Sequence, residues 1–331
     1  MSWTTRGFIL LVIISFVGGG QGCSSPSSSS NGHDPPPPSQ QSEQGQKASF
    51  DPGPEQDPPN PQFAEKAKEY GLEGEKATQL YAVDFNDDGY TDLVTLPKFY
   101  SIPRFFRYDP KREKFTRSDL PFKQKIRASY LGFFDFNQDG TLDLLMGTLN
   151  QKSELKKEPM RIYEGILKKG KIHYKLRNKG LGVGSLPVAS VAVVDVKLDG
   201  RLDIYLGNWY DTRGKDPEIL PDKLLLGEKD FQFRDVSTAL KGENVKEGDR
   251  EFYKNAVPSF GVSTCDFNLD AYPDIMVSAS SGYGNKLWLH KKSEGGWFYE
   301  DLGRPSGFHS DDEGRLMPRG GGNSFYSACA D

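Results

Sequence analysis

The 331-residue chain is poor in the residues on which most catalysis depends: it has three cysteines, Cys23, Cys265 and Cys329, and four histidines, His33, His173, His290 and His309. No cysteine pair has C-x-x-C spacing, which excludes a zinc ribbon or a redox dithiol. A bridge between Cys265 and Cys329 is one arrangement of those thiols; two buried free thiols is the expected one. None of the histidines lies in a hydrolase or zinc motif, and G-x-S-x-G, H-E-x-x-H and phosphate-loop signatures are absent. Excess positive charge is missing too. The 42 basic and 46 acidic residues are mixed along the chain and sum to -4, so no basic stripe is available to neutralise phosphates and nucleic acid is not an expected partner. At the N-terminus the apolar run of residues 8–17 is too short for a bilayer, which takes about 20 residues.

What that N-terminus does have is the layout of an export signal: Arg6, the apolar run, then Gly18-Gly-Gly-Gln-Gly-Cys23. Small residues directly before a lone cysteine resemble a lipoprotein signal, in which residues 1–22 are removed and Cys23 carries the lipid. Gly20 stands where Leu is usual, and an ordinary secretory signal that leaves Cys23 free is the alternative. Either way the chain is exported. Ser24 in place of an Asp after Cys23 favours the outer membrane or cell surface over inner-membrane retention. Residues 23–62 are Ser, Pro, Gln and Gly without apolar periodicity and form no core. They read as a disordered tether whose coil spans roughly 35 Å.

From residue 63 to 331 the composition changes. Short apolar runs broken by Gly, Asp and Asn, in a chain with 36 Gly and 22 Pro, predict an all-β fold. One pattern recurs four times: an apolar run, an acidic loop, a second apolar run. The loops are Asp84-Phe-Asn-Asp-Asp-Gly-Tyr-Thr-Asp92, Asp135-Phe-Asn-Gln-Asp-Gly-Thr-Leu-Asp143, Asp195-Val-Lys-Leu-Asp-Gly-Arg-Leu-Asp203 and Asp266-Phe-Asn-Leu-Asp-Ala-Tyr-Pro-Asp274. Two further strand-like pieces follow each loop, giving four strands per unit, the arithmetic of a propeller blade. The residue three before each loop is small in three units, Gly132, Ala192 and Ser263, as crowded inner strands require; Tyr81 is the exception. Residues 323–331 read as the leading strand of a fifth unit. The expectation is four blades plus the start of a fifth, an incomplete seven-bladed ring in a truncated chain.

Counted from the first Asp, the loops place side-chain oxygens at positions 1, 3, 5 and 9, a glycine at 6 and a free carbonyl at 7. Hard cations take this pattern: calcium binds six to eight oxygens, and glycine permits the sharp turn that makes alternate side chains converge. The predicted calcium ligands are Asp84, Asn86, Asp88, Asp92 and the Tyr90 carbonyl in loop 1, and Asp135, Asn137, Asp139, Asp143 and the Thr141 carbonyl in loop 2. Loop 3 offers Asp195, Asp199, Asp203 and the Arg201 carbonyl, with Lys197 placed to substitute its ammonium for the metal. Loop 4 offers Asp266, Asn268, Asp270, Asp274 and the Tyr272 carbonyl, but has Ala271 where the turn calls for glycine. An EF-hand is excluded, since position 12 holds Thr95, Met146, Leu206 and Val277 instead of Glu. The expected role of the ion is to pin hairpins.

These loops resemble the FG-GAP or VCBS repeats of integrin-α-type propellers. The pieces Leu202-Asp-Ile-Tyr-Leu-Gly-Asn208, Asp222-Lys-Leu-Leu225, Phe233-Arg-Asp-Val236, Asn285-Lys-Leu-Trp288 and Phe298-Tyr-Glu-Asp-Leu302 resemble the cartilage acidic protein type and its bacterial relatives. Residues 63–72 look like the closing piece of a preceding blade. The resemblance implies a surface-anchored binding or adhesion module for an extracellular protein or glycan. A polysaccharide lyase or hydrolase built on a calcium propeller, and a structural role in the envelope, are the alternatives. Trp209, Tyr210, Tyr283 and Trp288 are either an aromatic ligand platform or packing between blades.

Overall fold

The computed structural model describes residues 64–122, 125–148, 159–211, 218–242, 245–247, 250–252, 256–280 and 283–309. The signal, Cys23, the tether and the strand expected at 323–331 lie outside them. Sheet 1 is β1 (Gln79–Val83), β2 (Asp92–Leu96), β3 (Arg104–Asp109) and β4 (Lys114–Arg117); sheet 2 is β5 (Tyr130–Phe134), β6 (Asp143–Gly147), β7 (Arg161–Lys168) and β8 (Lys171–Lys179). Sheet 3 starts with β9 (Val188–Val194) and β10 (Asp203–Asn208). After a small hairpin, β11 (Tyr210–Asp211) and β12 (Glu218–Ile219), it continues with β13 (Lys223–Gly227) and β14 (Phe233–Asp235). The short strands β15 (Leu240–Lys241), β16 (Val245–Glu247) and β17 (Arg250–Phe252) lead to sheet 4: β18 (Ser259–Cys265), β19 (Asp274–Ala279), β20 (Lys286–Ser293) and β21 (Gly296–Asp301). Each sheet is a four-stranded antiparallel meander, and β15 adds in parallel to the outer edge of sheet 4. Among the described residues the only helical turns are two short 3-10 segments, Lys229–Phe231 and Ser237–Ala239.

The sheets pack face to face in chain order through three apolar cores. Sheet 1 meets sheet 2 through residues such as Val83, Phe85, Val94, Leu131, Phe133 and Tyr174. Sheet 2 meets sheet 3 through Leu145, Ile162, Ile204 and Leu225, and sheet 3 meets sheet 4 through Val194, Val196, Leu224, Ile275 and Trp288. This explains the sequence of the second strands: β6, β10 and β19 are buried along their whole length, because a strand covered on both faces needs a continuous apolar run. The outer strand β8 instead alternates buried and exposed residues over its first half.

Polar groups stitch these interfaces. Tyr81, the large residue among small ones, is fully buried, and its hydroxyl accepts the N–H of Leu131 from sheet 2 at 2.8 Å. Between sheets 3 and 4, Asp222 accepts from the Tyr205 hydroxyl (2.8 Å), the Ser259 hydroxyl (2.6 Å) and the Asn208 N–H (2.7 Å), while Trp288 Nε1 donates to Tyr205. Asn285 does the same work in sheet 4, accepting the Ala279 N–H at 2.9 Å, so Asp222 is a carboxylate in an amide's place. Trp288 therefore belongs to the core, and Trp209 packs on Tyr210 and Phe260, which places both among the packing residues.

The chain entering a sheet also runs along its outer strand. Phe115 of β4 donates its N–H to Tyr70, Tyr174 of β8 donates to Pro121, and β15 lies on β21. Residues 64–72, read as a closing piece, thus form turns that cover the edge of the sheet that follows. One expectation is corrected: Cys265 is half-buried and disulfide-bonded, not a free thiol. It ends β18, directly opposite Asp274, and its bonding partner lies outside the described residues.

Tyr81→Phe leaves the buried Leu131 N–H without an acceptor and is expected to cost about 1–3 kcal/mol in urea unfolding. Burial, opposed by its hydrogen bonds and by Lys286, pushes Asp222 up to about 7. A carboxyl raised on folding favours the folded state below its ordinary range and withdraws that support as pH climbs through the folded value. Denaturant midpoints of the wild type should therefore decrease as pH rises from about 4 to about 7, and Asp222→Asn should flatten part of that decrease.

Candidate metal centres

All four loops connect the first and second strands of their sheets, so the face-to-face stack sets them at one end. Gln138 of loop 2 donates through Nε2 to the Gly200 carbonyl of loop 3. The loops share one backbone. Position 6 is left-handed in each, at Gly89, Gly140, Gly200 and Ala271, with φ between 71° and 88°. Position 4 is left-handed as well, at Asp87, Gln138, Leu198 and Leu269, a feature with no glycine to announce it.

Side chains of positions 1, 3 and 5 fold around the backbone of the turn. In loop 1 the Asp88 N–H is shared by Asp84 Oδ1 (3.2 Å) and Asn86 Oδ1 (3.1 Å), and the Gly89 N–H goes to Asp84 Oδ2 (2.8 Å). Asp88 Oδ1 accepts the Tyr90 N–H and its Oδ2 the Asn86 amide. Loop 2 repeats every one of these bonds with Asp135, Asn137, Asp139, Gly140 and Thr141, and loop 4 with Asp266, Asn268, Asp270, Ala271 and Tyr272. Loop 3 keeps the backbone N–H bonds to Asp195 and Asp199, but Lys197 Nζ lies 2.6 Å from Asp199 Oδ2 and Arg201 reaches the same oxygen at 2.7 Å. Burial of Asp199 is outweighed by these cationic hydrogen bonds, which hold it near 2. Loop 3 carries its own counter-charge.

Position 9 has a role the spacing does not reveal. Asp92, Asp143, Asp203 and Asp274 are fully buried. In each, Oδ1 accepts an N–H from the third strand: Tyr108, Gly165, Gly227 or His290, at 2.7–2.9 Å. In loops 2, 3 and 4 the second oxygen accepts the N–H of position 2, from Phe136, Val196 and Phe267. Gly165 and Gly227 are required there, since a Cβ would sit 2.2–2.3 Å from the carbonyls of Leu142 and Leu202. In loops 1 and 4 the third-strand residue instead pairs its ring with position 7: Tyr108 with Tyr90, and His290 stacked on Tyr272 at 4.6 Å. Position 2 also packs toward the next sheet, with Phe85 and Val196 buried in interface cores, whereas Phe267 is 49% exposed.

Electrostatics separates the loops. Burial first, then the fields of positions 1 and 5, pushes Asp92 and Asp143 up to about 7. Asp274 is raised by the same causes, and Asp203 rises to about 6 with Lys197 opposing. Asp92 differs further, because its buried Oδ2 has no hydrogen-bond partner. That orphaned oxygen, facing the fields of Asp84 and Asp88, is what a hard cation would satisfy, so loop 1 fits calcium in donor chemistry. Among the described residues, no three His, Cys, Asp or Glu side chains already form a metal-holding group. Any ion would draw on the Asn86 oxygen and backbone carbonyls as well as carboxylates.

A family model described as the FG-GAP-like repeat matches residues 84–146, from the first residue of loop 1 to the interior of β6. The chain carries an FG-GAP-like repeat. The match spans loops 1 and 2 with the strands between them; loop 4, built on the same bonds, and loop 3, which keeps those to Asp195 and Asp199, lie beyond it. No curated protein matches the chain.

Ala271 adopts φ 71°, which costs an L-residue about 1 kcal/mol relative to glycine. Ala271→Gly is expected to raise stability by that amount in equilibrium unfolding, while Gly140→Ala in loop 2 lowers it similarly.

Proposed function

We propose that this chain is an exported binding module, anchored through a lipid on Cys23 and held off the envelope by the 23–62 tether. Its stacked sheets are consecutive blades of a β-propeller that presents loops to an extracellular protein or glycan. The FG-GAP-like repeat supports a propeller-type binding module, as do four meanders packed face to face in chain order. Exposure of Phe267, at a position its counterparts bury against the next sheet, supports a further blade packing there. The disulfide at Cys265 suits an oxidising compartment outside the cytoplasm.

Calcium belongs to the same proposal. The observation that carries it is the buried, unpartnered Oδ2 of Asp92 beside Asp84 and Asp88. Asp84, Asn86, Asp88, Asp92 and the Tyr90 carbonyl hold the ion in loop 1, and the corresponding residues do so in loops 2 and 4. Lys197 takes its place in loop 3. A divalent cation supplies positive charge that neutralises the clustered carboxylates and fixes each hairpin.

Melting temperature of the purified chain, followed through a calcium titration and then chelation, tests this reading. An ion present at about 100 times its dissociation constant stabilises by roughly 2.7 kcal/mol per site, a rise of several degrees. Asp88→Ala and Asp139→Ala should each remove part of the rise, and Asp199→Ala none of it. A melting temperature indifferent to calcium would overturn the cation assignment.

A further inference from the structure

Sheet 4 buries a face on which none of the other three sheets packs. In each unit the residue two places after the buried aspartate turns toward the following sheet, together with its partner across the third strand. These pairs are Val94 with Phe105, Leu145 with Ile162 and Tyr205 with Leu224, and all six residues belong to the cores between sheets. The corresponding pair in sheet 4 is Met276 with Leu287. Both are only 2% exposed, yet neither belongs to any of the three cores.

Cys265 looks the same way. Ser263 lies opposite Met276 and Cys265 opposite Asp274, and residues opposite one another, or two apart along a strand, share a face. Ile275 and Val277, which alternate with Met276, pack on sheet 3. The disulfide of Cys265 therefore leaves sheet 4 on the side away from sheet 3. The cover stops short of the turn, where Phe267 is 49% exposed.

Two other cysteines exist in the chain, Cys23 and Cys329. Residues 24–62 have no apolar run to lay on Met276 and Leu287, whereas residues 310–331 include Leu316, Met317, Phe325 and Tyr326. After β21 the chain reaches His309, whose carbonyl accepts the Asn285 N–H at 2.9 Å, at the end of sheet 4 where β18 also begins. The first strands of sheets 3 and 4, β9 and β18, run side by side. A strand that ran beside β18 in the same way would bring Cys329, two residues before Asp331, level with Cys265, one residue before Asp266.

We propose that Cys329 is the partner of Cys265, and that their disulfide clasps residues 310–331 over the Met276–Leu287 face as the first strand of a further sheet. Each thiol gives up one proton and one electron as the S–S bond forms. Both electrons and both protons pass to the disulfide of a protein thiol oxidant, which leaves as its dithiol. The sulfur of Cys23 stays free for a lipid thioether. The inference rests on the reading of sheet 4 as a blade with a successor.

Mass mapping of the purified full chain, alkylated without reduction and cut with trypsin, tests it. The expected product joins peptide 255–286 to peptide 320–331 in monomeric protein. Peroxide then reports on the cover through the Met276 thioether, with Met146, buried between sheets 1 and 2, as internal reference. In Cys329→Ser, Met276 should oxidise at least roughly threefold faster relative to Met146 than in the wild type. Reduction of the folded wild type, which alters no other side chain, should produce the same rise. A bond from Cys265 to Cys23, a bond between two copies, an alkylated Cys265, or equal protection of Met276 with and without the bond each overturns the inference. A calcium-stabilised chain whose Cys265 bonds elsewhere loses the clasp and keeps the module; a mapped clasp in a chain indifferent to calcium loses the cation sites and keeps the clasp.

Discussion

Each unit depends on a carboxylate that never reaches solvent. The aspartate that opens the second strand ties the third strand to the acidic turn through backbone N–H donors, in all four sheets for the third strand and in three for the turn. Neutral or charged, an isolated carboxyl at such depth would be costly without those bonds. With them it fixes where the hairpin ends, how the third strand is set against it, and therefore which apolar residues face the neighbouring sheet. Because desolvation and nearby carboxylates both push these groups toward protonation, the motif carries an electrostatic load that hydrogen bonds only partly offset.

The loops meet that load in different ways. In loop 3, lysine and arginine from the turn itself crowd one carboxylate oxygen of Asp199. Loops 1, 2 and 4 have asparagine where that lysine stands, which adds an oxygen and no charge. Left-handed residues at positions 4 and 6 tighten every turn so that side chains at odd positions reach the same amide. Every loop has a non-glycine residue at position 4, and loop 4 alone has one at both positions, Leu269, 88% exposed, and Ala271. That turn is held by its hydrogen bonds against local preference.

Much of this was legible in the chain itself. The apolar runs flanking each acidic loop, with the two strand-like pieces after it, located the sixteen strands of the four meanders, since burial writes itself directly into composition. The loops announced themselves by repetition, and Lys197 by its place in the pattern. Side-chain pairing was harder. Nothing local marks Tyr81 as a bridge to Leu131, fifty residues away, or Asp222 as the acceptor for Ser259, because those contacts exist only once sheets stack. Position 9 has a hydrogen-bonding role that its spacing does not show, because a carboxylate spaced for a metal and one spaced for backbone amides have the same sequence. Gly165 and Gly227 were the available sign, each sitting where a carbonyl approaches too closely for any side chain. Cys265 was misjudged because two cysteines far apart in sequence say nothing about distance in space.

Sheets that end in an unpaired strand invite another strand to join, whether from a partner or from a second copy of the same protein. Here the lead-in to a sheet bonds the outer strand at Phe115, at Tyr174 and along β21. The hem is sewn before the cloth is shown. A strand offered from outside finds these three margins occupied. Along those margins the loops can vary in sequence without opening a route to fibrous self-association.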